Sequence, residues 1–151
     1  MAMIEAEDQE KIREMFAQSL TGDVTITYFT QRESPLVVPG RHECGYCKET
    51  RELLEEVTSL SDKLHLTVKD FVSDEQEAQK MGIERIPAYT MQGQAKGKVR
   101  FFGIPAGYEF STLIQSIVDV STGQTHLSEK TKEALSKVDQ DLQVQVFVTP
   151  T

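Results

Sequence analysis

The chain has 151 residues, of which 38% are hydrophobic and 26% are charged, and its net charge at pH 7 is −8. This composition is typical of a globular protein with one domain-sized core rather than of a disordered chain. The acidic excess argues against a general nucleic-acid binder or a binder of anionic membranes. No apolar run is long enough to span a bilayer, and Met1–Glu10 lacks the features of a signal peptide, so we expect a cytoplasmic protein.

Hydrophobic periodicity predicts the elements of the first half of the chain. An apolar stripe at three- and four-residue steps predicts a helix over Glu7–Leu20, and alternating β-branched and aromatic residues predict a strand over Val24–Thr30. A long connection with prolines and a glycine, Gln31–Glu43, follows this strand. The same patterns then predict a helix over Lys48–Leu64 and a strand over His65–Val72.

Turn and cap residues organise the second half. Ser73 and Gln76 have the spacing of a capping box at the start of a short helix, and Gly82 suits the left-handed position that ends it. A polar, glycine-bearing turn then joins two strands in a hairpin. The predicted elements from this hairpin to the end of the chain are strands over Ala88–Met91 and Lys98–Phe102, a helix that stops near Ser121–Gly123, a helix over Glu129–Val138 capped by Ser128, and a strand over Gln143–Thr149.

The tail repeats the order helix, turn, strand of residues 7–30. We therefore divide the chain into a domain over residues 1–124 and the start of an incomplete second copy of the same unit over residues 125–151. An apolar strand without its following helix needs a partner. We expect the strand over Gln143–Thr149 to extend the sheet of the first domain or to form a homodimer contact.

Two cysteines, Cys44 and Cys47, stand where the long loop enters an amphipathic helix. In a reducing compartment, such a close pair is more typical of catalysis or metal binding than of a structural disulfide. Free N–H groups and the macrodipole at a helix N-terminus favour a thiolate. Cys44 is thus the predicted nucleophile, and Cys47, one turn inward, is the predicted resolving thiol. Lys48 would add positive potential at the pair, whereas Glu43 opposes it.

The cysteines also permit a metal site. His42, Cys44 and Cys47 form a set of three soft ligands, but a closed zinc site needs four. The other histidines, His65 and His126, are far away in the sequence, and there is no second Cys-x-x-Cys pair. The metal-binding hypothesis is therefore the weaker of the two, and a buried inert pair is weaker still because a glycine between the cysteines indicates exposure.

Ile86 and Pro87 lie at the start of the third predicted strand. A proline there is ordinarily only a strand-start residue. A cis proline would instead aim the backbone of Ile86 at the cysteines, where it could pair with an extended substrate through main-chain hydrogen bonds. Tyr46, between the cysteines, is a further candidate substrate contact.

The order of these elements resembles the thioredoxin fold and, more closely, the glutaredoxin-like protein disulfide oxidoreductases, which carry two tandem thioredoxin-fold units. The resemblance covers nearly the whole chain. The segments that carry it are Cys44-Gly45-Tyr46-Cys47-Lys48, the stretch from Gly82 to Ala88 around Ile86-Pro87, the glycine- and proline-containing stretch from Phe102 to Phe110, and the tail from Val146 to Thr151.

The resemblance implies an α/β fold with a central mixed four-stranded sheet flanked by helices. In that sheet the first two strands are parallel and the hairpin pair is antiparallel. An N-terminal helix and strand and a C-terminal helix-strand stub are additions to this core. The resemblance also implies that Cys44 and Cys47 are the redox pair and that Pro87 is cis.

The function that follows is thiol–disulfide exchange with protein or small-molecule disulfides, without a bound cofactor. Electrons would come from a separate reductase or from glutathione. A non-catalytic alternative remains open, in which the fold binds peptides or partner domains along the Pro87 edge while the cysteines are idle.

Overall fold

The computed structural model describes residues 3–32 and 43–149. Most of the loop predicted over Gln31–Glu43 lies outside these ranges. No helix within them is long and apolar enough to cross a membrane. The helices are α1 (Ala6–Ser19), α2 (Cys47–Thr58), α3 (Glu75–Met81), α4 (Tyr108–Thr122) and α5 (Glu129–Leu135), and the strands are β1 (Val24–Thr30), β2 (Leu64–Asp70), β3 (Ala88–Gln92) and β4 (Val99–Phe102).

The four strands form one mixed sheet in the order β2-β1-β3-β4. β1 is parallel to β2 and antiparallel to β3, and β3 and β4 form the predicted hairpin. Ala88 lies opposite Phe29 of β1 and Phe102 of β4. The last residues of β1, β2 and β4 therefore meet the first residue of β3 at one end of the sheet, and the mixed four-stranded sheet is confirmed.

Side chains alternate across β1 and divide the core into two layers. Ile26 and Tyr28 belong to the larger cluster, which also contains buried residues of α1, α2 and α4. Phe29 belongs to a second cluster, which contains Ala78 of α3 and Ile83 just after it. Helices therefore cover both faces of the sheet, as the thioredoxin fold requires.

The boundary between α2 and β2 differs from the prediction. α2 ends at Thr58, and β2 begins at Leu64, which pairs with Val24. Leu60 and Leu64 are both buried, with exposed fractions of 4% and 6%. Their spacing fits a helix, but the residues between 58 and 64 form turns that bring the chain to the edge of β1, so long-range pairing overrides the local pattern.

The short helix α3 begins later than its capping-box spacing predicted. Its N-cap is Asp74 rather than Ser73, and the predicted capping box is therefore wrong. The Asp74 carboxylate instead accepts a hydrogen bond from the N–H of Asp70 at 2.9 Å, which closes the turn after β2. The prediction for the other end is confirmed, since Gly82 has φ +72°.

The tail contains its predicted helix but not its predicted strand. Ser128 caps α5 by accepting a hydrogen bond from the N–H of Thr131. Residues 141–149 have no regular secondary structure and are exposed, so the strand predicted over Gln143–Thr149 is wrong for this structure. A strand needs hydrogen bonds from a neighbouring strand, and within the described chain the sheet ends at β2 on one side and β4 on the other.

Candidate active site

The two cysteines form a disulfide in a turn at the end of the sheet where β1 ends. The Cα atoms of Cys44 and Cys47 are 5.5 Å apart. Cys47 is the first residue of α2, and Tyr46 is its N-cap. Cys44 therefore lies ahead of the helix, and Cys47 lies at the helix start rather than one full turn inward. The predicted redox pair is in place, about three residues earlier on the helix than expected.

The two sulfur-bearing residues differ in exposure. Cys44 is half-buried, whereas Cys47 is buried with only 5% exposed. Tyr46 between them is 60% exposed. An attacking partner would therefore reach the first cysteine more readily than the second.

Two polar side chains that the sequence analysis did not single out hold this turn against β1. The Tyr28 hydroxyl donates a hydrogen bond to the Cys47 carbonyl at 2.7 Å. The side-chain carbonyl of Gln31 accepts one from the Cys44 N–H at 2.9 Å. Burial raises the pKa of the Tyr28 hydroxyl, so this group stays protonated and keeps donating. No local sequence motif marks either residue, because each bonds to backbone more than ten positions away.

The start of α2 has its own cap. The N–H of Thr50 donates to the Tyr46 carbonyl at 3.0 Å, and the Thr50 hydroxyl donates to the same oxygen at 2.7 Å. Thr50 is fully buried. The first turn of the helix therefore fixes the backbone on which the buried cysteine sits.

Pro87 lies at the same end of the sheet as the cysteine turn. The Ile86-Pro87 peptide bond is cis, as the resemblance implied. Pro87 precedes Ala88, which pairs with Phe29 near the end of β1. The Pro87 carbonyl accepts a hydrogen bond from the Gly103 N–H at 2.8 Å, which ties it to the loop before α4.

The charged neighbours of the pair point to solvent. Glu43 and Lys48 are exposed. The Lys48 ammonium lies 4.0 Å from the carboxylate of Glu52, one turn further along α2. Ion pairs as exposed as this one contribute little, because solvent screens them.

The metal-site alternative rests partly on His42, which lies outside the described residues. The sulfurs of Cys44 and Cys47 are bonded to each other and are not free metal ligands in this state. In the parts of the chain that the structure describes, no group of three or more His, Cys, Asp or Glu side chains has the arrangement of a metal site. His65 lies beside Asp23, with 3.7 Å between the imidazole and the carboxylate, at the opposite end of the sheet.

An open groove of about 570 Å³ runs along α3 toward the candidate site. It begins at Phe71 and Val72, just after β2, and ends at Glu84, shortly before Pro87. Val72 is 75% exposed there. The groove thus borders the end of the sheet that carries the disulfide.

A mixed four-stranded sheet, a Cys-x-x-Cys disulfide at the start of α2 and a cis proline before β3 define the class of thioredoxin-fold thiol–disulfide oxidoreductases. The family model described as "Thioredoxin domain" matches residues 36–115, which is more than half of the chain. The chain therefore belongs to the thioredoxin domain family.

Known proteins with related sequences and structures agree with this assignment. The alkyl hydroperoxide reductase component AhpF of Staphylococcus aureus (strain NCTC 8325 / PS 47) is 27% identical over 106 residues, which are 69% of this chain but 18% of that protein. The crystal structure of a protein disulfide oxidoreductase from Aeropyrum pernix K1 is similar with a TM-score of 0.71 and 26% identity, over 88% of this chain and 54% of that one. AhpF of Enterococcus faecalis has the same fold, with a TM-score of 0.70, 21% identity and coverage of 86% and 58%.

Proposed function

We propose that this chain exchanges electrons with protein or small-molecule disulfides through Cys44 and Cys47. The observation that carries the proposal is the disulfide between a half-buried and a buried cysteine, at the end of the sheet that also carries cis Pro87. An accessible sulfur with a protected partner one bond away is the arrangement that reversible exchange needs.

The proposed reaction has two steps. In the reduced protein, the Cys44 thiolate attacks one sulfur of the substrate disulfide, which forms a mixed disulfide and releases the other substrate sulfur as a thiolate. The Cys47 thiol then loses its proton and attacks Cys44, which releases the second substrate thiolate and leaves the Cys44–Cys47 disulfide. Two electrons pass from the protein to the substrate, and oxidation of a dithiol substrate is the reverse sequence.

Substrate contact is proposed for Tyr46, Ile86 and Pro87. Tyr46 is exposed beside Cys44, and Tyr108 at the start of α4 is also exposed, with fractions of 60% and 80%. The Ile86 backbone precedes Pro87 at the sheet end, where an extended peptide could pair with it. We assign only a small effect on the thiol pKa to Lys48 and Glu43, since both side chains are exposed.

The electron donor is proposed to be a separate reductase or glutathione. The relatives from Staphylococcus aureus are named as part of alkyl hydroperoxide reductase, which favours a reductase-type partner or a peroxide-reducing protein as a redox partner. This chain spans less than a fifth of their length, so their whole activity is not transferred to it. We also propose a cytoplasmic location, because its two cysteines form a redox pair rather than a disulfide framework.

We further propose that residues 125–151 begin a second thioredoxin-like unit after the first unit over residues 1–124. The match to about half of the Aeropyrum pernix oxidoreductase supports this division. The exposed apolar residues of the tail also support it, because they need a partner. A homodimer contact through the tail is the proposed use of this segment when no further unit is present.

A redox titration tests the main proposal. The protein is equilibrated in graded dithiol buffers, free thiols are alkylated, and modified thiols are counted by mass. We expect one reversible two-electron transition between roughly −270 and −180 mV, the range from thioredoxin to disulfide isomerase. Thiols that never oxidise, or that react only after a chelator is added, would contradict the proposal and favour the binding or metal hypotheses.

Single cysteine variants test the two roles. Cys47→Ser is expected to accumulate the mixed disulfide with a peptide disulfide, because the second step is blocked. Cys44→Ser is expected to form none at the same peptide concentration, because Cys47 is buried. Mass spectrometry of the trapped adducts reads the outcome, and equal trapping by both variants would refute the assignment of the nucleophile.

A further inference from the structure

Arg85 lies in the bend between α3 and β3, two residues before Pro87, and it is exposed. Its guanidinium carbon is 4.8 Å from the centroid of the Phe102 ring. Phe102 is the last residue of β4 and lies opposite Ala88. The aromatic ring therefore holds the arginine at the end of the sheet that carries the disulfide.

This stacked guanidinium has unused donors. Stacking on a ring occupies the face of the guanidinium and leaves its in-plane N–H groups free. In the described part of the chain, no carboxylate lies within ion-pair distance of Arg85, whereas Lys48 approaches Glu52 and Lys69 pairs with Glu77 at 2.9 Å. A planar fork that is held in position and is not paired with an acid matches the geometry of a carboxylate, which it can bind with two hydrogen bonds.

The pairing register gives the scale of this arrangement. Phe102 is two strands away from Phe29, through Ala88. Neighbouring strands are about 4.8 Å apart, so about 10 Å separate the stack from the end of β1, to which the cysteine turn is attached. An extended peptide covers this distance in about three residues.

We propose that Arg85 is a specificity-determining residue that binds a carboxylate of the substrate about three residues from the disulfide under attack. This inference rests on the proposed thiol–disulfide exchange. The carboxylate can be an acidic side chain of a polypeptide substrate or the free carboxylate of a small disulfide such as oxidised glutathione. The net charge of −8 repels acidic substrates at long range, so the local arginine decides whether one is accepted.

The test uses two peptides that differ in one residue. Each carries one cysteine in mixed disulfide linkage with 5-thio-2-nitrobenzoate, and the third residue from the cysteine is Asp in one and Asn in the other. Release of the coloured thiol by the reduced full chain gives a second-order rate constant. The variants are Arg85→Gln and, as a control with the same loss of charge, Arg13→Gln on α1, where the side chain pairs with Glu10 at 2.6 Å. Oxidised glutathione is the third substrate.

We expect the wild-type chain and Arg13→Gln to reduce the Asp peptide about five-fold faster than the Asn peptide, since a partly exposed charged contact is worth about 1 kcal/mol. Arg85→Gln is expected to lose this preference and to keep its rate with the Asn peptide. Loss of rate by Arg85→Gln with oxidised glutathione alone would also support the carboxylate site and identify a small disulfide as its ligand.

Two results would overturn the inference. One is a wild-type chain without a preference for either carboxylate substrate. The other is an Arg85→Gln variant that is slowed equally with all three substrates, which would indicate a general structural role. If the wild-type chain reduces none of the three, then the proposed exchange itself has failed, and the role of Arg85 fails with it.

Discussion

Tyr28 and Tyr89 lie opposite each other in the β1–β3 pair, and both are buried. Their environments differ at one atom. The Tyr28 hydroxyl donates to the Cys47 carbonyl, while the Tyr89 ring stacks on Phe101 at 5.2 Å and its hydroxyl has no hydrogen-bond partner among the described residues. Two residues of the same type therefore serve different purposes, one for the site and one for the core.

Removal of each hydroxyl should separate these purposes. Tyr28→Phe is expected to lower the free energy of unfolding by about 1 kcal/mol, because the Cys47 carbonyl loses a hydrogen bond. Tyr89→Phe is expected to change it by less than about half of that amount, because no bond is lost. Denaturant unfolding of the oxidised protein measures both values. Equal destabilisation by the two variants would show that the bond to the cysteine turn has no special importance.

At the scale of elements, one serine joins the end of α4 to the turn between α1 and β1. The Ser121 hydroxyl accepts hydrogen bonds from the N–H groups of Thr21 and Gly22, both at 3.1 Å, and donates to the Gly22 carbonyl at 2.6 Å. Ser121 is fully buried. The sequence analysis identified this residue only as part of a helix stop.

Ser121→Ala should therefore be costly. We expect a loss of about 2–3 kcal/mol in the free energy of unfolding, since two N–H groups lose their acceptor in a buried place. Ser111→Ala on the same helix is the matched control, because its exposed hydroxyl bonds only to the Tyr108 carbonyl at 2.8 Å. Thermal unfolding of both variants tests the difference, and a Ser121→Ala variant as stable as the control would refute this account.

The junction of β2 and α3 depends on an ionised carboxylate. Burial alone would raise the pKa of Asp70, but hydrogen bonds from the N–H groups of Ser73 at 2.7 Å and Arg32 at 3.0 Å hold that pKa below its ordinary value of 3.8. A lowered pKa in the folded state stabilises the protein above the unfolded-state pKa, and this contribution is lost as the pH falls through the lower folded-state value.

Asp70→Asn should thus have a pH-dependent effect. At pH 7 the variant is expected to be less stable than the wild type by about 1 kcal/mol, because an amide oxygen is a weaker acceptor than a carboxylate. Below pH 3.8 the two proteins should converge as the wild-type carboxylate takes up a proton. Urea unfolding at a series of pH values measures this, and a constant difference across the series would contradict it.

At the scale of the whole molecule, the tail stands apart from the packed unit. α5 has no buried residues. Beyond it, Val144, Val146 and Phe147 are exposed by 83%, 80% and 84%. A contiguous apolar segment of this kind promotes association.

Removal of residues 139–151 should reveal the role of the tail. The melting temperature of the remaining unit is expected to change little, because the segment contributes nothing to the described core. Self-association of the full chain at high concentration should disappear. Sedimentation velocity over a concentration series measures this, and the same concentration dependence in both proteins would argue against the proposed homodimer contact.

The predictable part of the fold is its local part. The bounds of β1 are as predicted, α1 and α4 follow their apolar stripes, and Gly82 ends α3. Each of these features is encoded within a few residues, since helix and strand periodicity and left-handed glycine positions depend on near neighbours. The spacing of the cysteine pair likewise permits the disulfide whatever the rest of the chain does.

Other features were decided only by tertiary structure. The position where α2 gives way to β2 depends on pairing between Leu64 and Val24, and the strand expected in the tail is absent because no neighbouring strand supplies its hydrogen bonds. The supports of the site, Tyr28 and Gln31, act on backbone groups 19 and 13 positions away. A sequence pattern specifies what a segment tends to form, whereas hydrogen-bond partners between distant segments exist only once the chain has folded.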